Sequence, residues 1–110
     1  MKRVIRTAAE DDICRQFRYY LVDQDAPQIA WKFLDAVEEA IRTVVRYPRI
    51  GSLRFFPNKK LQGLRAWPVA GFEDVNIYYL ATTGMIRIVR VLHGKRDLKR
   101  ILRREDPFTP

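Results

Sequence analysis

The chain has 110 residues, 47% hydrophobic and 31% charged, with 21 Lys or Arg against 13 Asp or Glu and a formal net charge of +8. That length accommodates one domain, residues 1–110, around a single core, and leaves no room for a second. No apolar run approaches the roughly 20 residues of a membrane span, and the start Met1-Lys2-Arg3-Val4-Ile5-Arg6 lacks a signal peptide's long apolar region, so a cytoplasmic protein without membrane contact is expected.

Lys2 to Arg6 alternates Val4 with basic neighbours and predicts a first strand. Thr7-Ala8-Ala9-Glu10 has the spacing of a capping box. Ile13, Phe17, Tyr20 and Leu21 follow at helical spacing, which predicts a helix over 8–22 with Cys14 in its core face. Asp25-Ala26-Pro27-Gln28 restarts a helix, with Asp25 as cap and proline in the first turn. Its apolar stripe runs through Ala30, Phe33, Leu34, Val37, Ala40, Ile41, Val44 and Val45 until Pro48 and Gly51 stop it. A short loop between two helices implies a helical hairpin.

From residue 53 the period changes. Leu53 to Phe56 reads as a weak strand or loop. Leu64 to Val69 is a strand with Pro68 at a bulge or edge, and Val75 to Leu80 is a strand with Val75, Ile77 and Tyr79 on one face. Thr82-Thr83-Gly84 turns the chain into a last strand, Met85 to Leu92. Leu98, Ile101 and Leu102 give one apolar edge to a basic helix, and a tail with Pro107 and Pro110 is expected to fray. The predicted class is α+β, in the order β-α-α-β-β-β-α, with an antiparallel sheet covered by the helical hairpin and a short basic C-terminal helix.

Charge is distributed unevenly. Residues 85–104 hold eight Lys or Arg (Arg87, Arg90, Lys95, Arg96, Lys99, Arg100, Arg103, Arg104) against Asp97, a local +7 in a chain of +8. So lopsided a segment predicts a working surface for an acidic partner, either nucleic acid or an acidic protein. Cys14 is the only cysteine and His93 the only histidine, which excludes a disulfide within the chain and a Cys- or His-rich metal site. No nucleotide-binding glycine loop is present, so no cofactor is expected. Ser52 and Thr82-Thr83 lack the partners of a nucleophile. His93 is the natural acid or base, with an ordinary pKa of about 6.5, but its place at a strand end before a glycine fits a structural or partner contact better. Arg65 and Arg96 have the guanidinium geometry to clamp a carboxylate or phosphate. Trp67, beside Arg65 and Pro68, reads as a binding anchor or as a sheet residue packed under the helices, the second being favoured.

Leu64-Arg65-x-Trp67-x-Val69, Gly71-Phe72-Glu73-x-x-x-Ile77-x-Tyr79 and Ile88-x-Arg90-Val91-Leu92-His93-Gly94-x-Arg96-Asp97, with Tyr47-Pro48-Arg49-Ile50-Gly51 before them, resemble the ParE branch of the ParE/RelE toxin superfamily. The resemblance spans about residues 3 to 102 and implies the same α+β fold. It further implies the toxin half of a type II toxin–antitoxin operon, which binds and inhibits DNA gyrase and is held in a heteromeric complex by a ParD-like acidic antitoxin. On this reading partners meet Arg65, Trp67, Arg87, Arg90, Lys95, Arg96, Lys99, Arg100 and Arg103, and the antitoxin occupies a groove of Phe17, Tyr20, Leu21, Phe33 and Val37. The alternative is a RelE-type ribosome-dependent mRNA endoribonuclease, which would use Arg65, His93 and Arg96. It is disfavoured because a second core arginine position falls near Glu73-Asp74 and a proton-transferring tyrosine position falls near Leu102, so no catalytic residue is assigned.

Overall fold

The computed structural model describes residues 3–94 and 96–108. Strand β1 (Arg3–Ile5) leads to helix α1 (Ala8–Arg18), a π-helical turn (Tyr19–Asp23) and the long helix α2 (Pro27–Arg46). Then come β2 (Ser52–Leu53), a 3₁₀ turn (Lys59–Leu61), β3 (Arg65–Val69), β4 (Phe72–Thr82), β5 (Met85–His93) and helix α3 (Leu98–Arg103). The α+β class matches the expectation, and so does the element order, with the two-residue β2 added where a weak strand or loop was expected. The sheet order is β1-β5-β4-β3-β2: β2 through β5 are antiparallel neighbours, and β1 adds itself in parallel to β5, so the sheet is mixed.

Both faces of the sheet are covered. On one, Ala9 and Ile13 of α1 and Phe33, Val37, Ile41 and Val44 of α2 pack on Val75, Ile77, Tyr79, Ile86, Ile88 and Val91. On the other, Leu102 of α3 joins Leu61, Leu64, Ala66, Tyr78, Leu80, Val89 and Leu92. The period-2 pattern of β4 explains the division, since Val75, Ile77 and Tyr79 face α1 and α2 while Tyr78 and Leu80 face α3.

Two irregularities in the sheet position side chains. The β3–β4 register shifts at Pro68/Val69, as proline within a strand requires. A second shift lies between β4 and β5, where Tyr78 pairs with Arg90 and Tyr79 with Ile88, leaving Val89 without a partner. A bulge of this kind frees backbone groups and re-aims a side chain. Strand β1 pairs with β5 only at Met85 to Arg87, and farther along β5 helix α1 bonds to the backbone: Asp12 Oδ2 accepts from the Val91 N–H at 2.9 Å, and Gln16 Nε2 donates to the Val91 carbonyl at 3.0 Å.

The loop after α2 is pinned from beneath. The Tyr79 hydroxyl donates to the Pro48 carbonyl at 2.8 Å and accepts from the Gly51 N–H at 2.9 Å. A Cβ on Gly51 would lie 2.7 Å from Tyr79 Oη and 2.9 Å from the Ala66 carbonyl, so only glycine fits there. Burial raises the Tyr79 pKa above its ordinary 10.0, although the Gly51 N–H and the Arg65 charge oppose the shift. Above pH 10 the unfolded chain therefore loses a phenol proton that the folded chain keeps, and stability falls as pH rises. Tyr79→Phe is expected to flatten that alkaline slope and to remove about 1–3 kcal/mol at neutral pH by orphaning two backbone groups. Thermal midpoints of both proteins measured from pH 7 to 11 check this; parallel curves would refute it.

Several local expectations need correction. Thr7 makes no side-chain cap bond, its backbone lying in the α region instead of the extended one a cap residue takes, and Glu10 turns to Arg6 Nε at 2.8 Å instead of reaching back. Asp25 does not cap α2: it sits at φ +47°, and Ala26 is the N-cap, with Pro27 opening the helix. Cys14 is exposed, because Ala9, Asp12 and Ile13 form the buried face of α1. The predicted helix over 8–22 changes to π geometry at Tyr19. This widens the turn and carries Leu21 and Val22 toward solvent, 37% and 63% exposed. Residues 105–108 are tethered rather than frayed. Lys60 Nζ meets Asp106 at 2.9 Å, Arg87 donates to the Pro107 carbonyl at 2.9 Å, and Asn58 Nδ2 donates to the Leu102 and Glu105 carbonyls, each at 2.8 Å. Pro110 lies outside the described residues.

Candidate functional site

The end of β5 and the π-helical turn after α1 bound a cleft of about 920 Å³, lined by Arg15, Gln16, Tyr19, Tyr20, Gln24, Ala26, Ile29, His93 and Arg96. Sheet geometry places His93 there: it pairs with Val75 at the last rung of the ladder, and the Gly94 N–H donates to the Asp74 carbonyl at 2.6 Å as the chain turns away. His93 Nε2 lies 4.0 Å from Asp74 Oδ2. Arg96 is exposed and has no carboxylate at ion-pair distance among the described residues. Burial, and after it the neighbouring Tyr19, raise the Tyr20 pKa, so at neutral pH Tyr20 is a neutral phenol in the cleft wall.

Of the basic residues expected on a binding surface, α3 displays Lys99, Arg100 and Arg103, all exposed and without an ion-pair partner among the described residues. A helix of six residues gains this position from burial of Leu102 and from Asp97, whose carboxylate accepts from the Arg100 N–H at 3.2 Å. Lys95 lies outside the described residues.

The other basic residues have structural tasks. Arg90 is turned inward: Nε and Nη2 donate to Asp12 at 2.7 and 2.8 Å, and Nη1 lies 3.4 Å from Glu105. Its side chain is 15% exposed and that of Asp12 1%, so Arg90 ties β5 to α1 and is withdrawn from any outer surface. The hydrogen bond to Asp12 is the main cause that lifts the Arg90 pKa above its already high ordinary value; burial opposes it. Arg87 is half-buried, holding Pro107 and lying 5.0 Å over the Phe108 ring. Arg65 donates to the Gly51 carbonyl at 2.7 Å and bridges β3 to the loop after α2. Trp67 packs half-buried against the core under α1 and α2, the favoured reading.

The expected groove separates into two kinds of residue. Phe33 and Val37 are fully buried in the core and line no open groove, because α2 lies directly on the sheet with that stripe. Phe17, Tyr20 and Leu21 remain accessible, and the apolar surface they belong to extends through Tyr19, Val22, Ile29 and Trp31. Trp31, 59% exposed and edge-on to Phe17 at 5.1 Å, was missed by periodicity because it falls on the outer side of α2. Asp12 was also missed. Its signal was a carboxylate at i+3 from Ala9, on the apolar side of an amphipathic helix.

Arg65 lines a different cleft, about 430 Å³, with Pro48, Arg49, Leu53, Gly63, Ala81, Thr82 and Thr83. It shares no cleft with His93 and Arg96, and Leu102 is fully buried in the second core. Nor does positive charge gather at one end alone. Between Ala40 and Phe72 there are seven Lys or Arg and no acid, whereas in the C-terminal segment Arg87 and Arg90 are held internally.

Among the described residues no helix is long and apolar enough to cross a membrane, and no cluster of potential metal ligands occurs. No curated relative matches the chain. The family model described as the ParE toxin of the type II toxin–antitoxin system, parDE, matches residues 4–98, which runs from β1 through the first residue of α3. With that match over a five-stranded sheet packed between two helices and a short C-terminal one, the chain belongs to the ParE toxin family of type II toxin–antitoxin systems.

Proposed function

We propose that this toxin is a one-domain binding inhibitor of DNA gyrase, acting in the cytoplasm and neutralised by a ParD-like acidic antitoxin. The observation that carries the reading is the α3 surface. Lys99, Arg100 and Arg103 stand exposed on a helix anchored by its apolar edge, with no carboxylate partner among the described residues. Unpaired cations on a fixed element raise the association rate with an acidic partner, whether target or antitoxin. The apolar surface around Trp31 and Tyr19 complements this, since exposed aromatics beside charge are typical binding anchors.

A gyrase supercoiling assay with the purified toxin tests the proposal. Supercoiling is expected to stop and cleaved DNA to accumulate, and an acidic antitoxin is expected to reverse both. Lys99→Glu with Arg103→Glu is expected to weaken inhibition by about tenfold or more, because each reversal turns attraction into repulsion. Unchanged supercoiling and no cleaved DNA at micromolar toxin would sink the reading.

A further inference from the structure

The second basic surface has no role in that proposal. It lies at the β2 edge of the sheet, where the end of α2, the loop 47–51 and the strand after it come together. Phe55 is 87% exposed, the highest value among the large apolar residues described, and Tyr47 is 54% exposed. Arg46 lies over the Tyr47 ring, 5.5 Å from its centre, and the two border a cleft of about 530 Å³ with Arg49. Arg46, Arg49 and Arg54 have no carboxylate at ion-pair distance among the described residues.

We propose that this edge binds single-stranded nucleic acid, with phosphates on Arg46, Arg49 and Arg54 and bases stacked on Tyr47 and Phe55. Three observations favour that partner. The segment from Ala40 to Phe72 contains no acid, and although Arg42 and Lys60 meet Glu39 and Asp106 from outside it, the charge of Arg46, Arg49 and Arg54 is left for a phosphate backbone. The exposed side chains are aromatic rings beside guanidinium groups, and every base has a face that stacks on such a pair. A duplex hides those faces, which makes the single strand the better match. The platform is also rigid. The loop carrying Arg49 is held by the Tyr79 hydroxyl at Pro48 and Gly51 and by Arg65 at the Gly51 carbonyl, so little ordering remains when a strand binds.

The test is fluorescence anisotropy on the full chain with labelled oligothymidine, oligouridine and a DNA duplex. Single strands are expected to bind with a log K against log salt slope of about −2 to −3, the value for three or four phosphate contacts. The tighter of the two single strands identifies whether DNA or RNA is the ligand. Arg46→Glu with Arg49→Glu is expected to weaken binding by about tenfold or more. Phe55→Ala is expected to weaken it by about fivefold or more through lost stacking, with an unchanged thermal midpoint because the ring touches little. No binding at about 100 μM protein in low salt would overturn the proposal. So would a duplex bound as tightly as the single strands, or binding that survives the edge substitutions but fails in Lys99→Glu with Arg103→Glu. Displacement by polyglutamate at equal charge would likewise overturn it and assign the edge to an acidic protein.

Discussion

Asp12→Ala is expected to lower the unfolding free energy by about 3–5 kcal/mol, the loss seen when one member of a buried ion pair is removed. The carboxylate is 1% exposed and accepts from four donors: Arg90 Nε, Arg90 Nη2, the Val91 N–H and, at 3.4 Å, Arg15 Nη1. Without it, the Arg90 guanidinium remains buried with only Glu105 at 3.4 Å, and the Val91 N–H loses its acceptor. A small domain is stable by about 5–15 kcal/mol in total, so the variant sits near the edge of folding. Replacing both partners by apolar residues, Asp12→Leu with Arg90→Met, is expected to recover part of the loss, because no charge is then stranded. Urea unfolding of the three proteins decides the matter. A loss below about 1 kcal/mol for Asp12→Ala would mean that the pair contributes no more than a surface one.

Leu102→Ala is the second large effect, expected at about 2–5 kcal/mol. Leu102 is fully buried against Leu61, Leu64, Tyr78 and Leu92, and α3 has only six residues, too few to persist in water unaided. Its other restraints are the half-buried Leu98 and Ile101 and the bonds from Asn58 to the Leu102 and Glu105 carbonyls. Amide exchange across α3 is expected to accelerate far more than in β4, since the helix detaches before the sheet opens. Lys99→Ala or Arg103→Ala, on the exposed side, should change stability by no more than about 0.5 kcal/mol. Equal protection of α3 in Leu102→Ala and the parent chain would refute this account. If inhibition of gyrase depends on α3, Leu102→Ala weakens it through lost order and Lys99→Glu through charge at unchanged stability.

Much of the fold was legible because burial enforces a period. Phe33, Val37, Ile41 and Val44 had to share one side of a helix, and Val75, Ile77 and Tyr79 one face of a strand, whatever lay opposite. The capping residues were less legible. Glu10 had two possible partners, and Arg6 four residues earlier won over the backbone of Thr7. The π turn at Tyr19 left no mark in the apolar spacing, although it decides how far Leu21 and Val22 stand toward solvent.

The candidate sites show the same division. Their basic character, the single histidine at position 93 and the motifs shared with ParE toxins follow from the order of residues alone, because charge and short-range spacing are properties of the chain. Which cations are available to a partner was decided only in three dimensions. Arg90 and Lys99 are alike in sequence, both basic and in the same C-terminal third. The bulge in β5 places Arg90 against Asp12, 78 residues away, whereas α3 buries Leu102 and leaves Lys99 outside. A long-range partner decides whether a charge is neutralised within the fold or offered to solvent, and no local pattern encodes that partner.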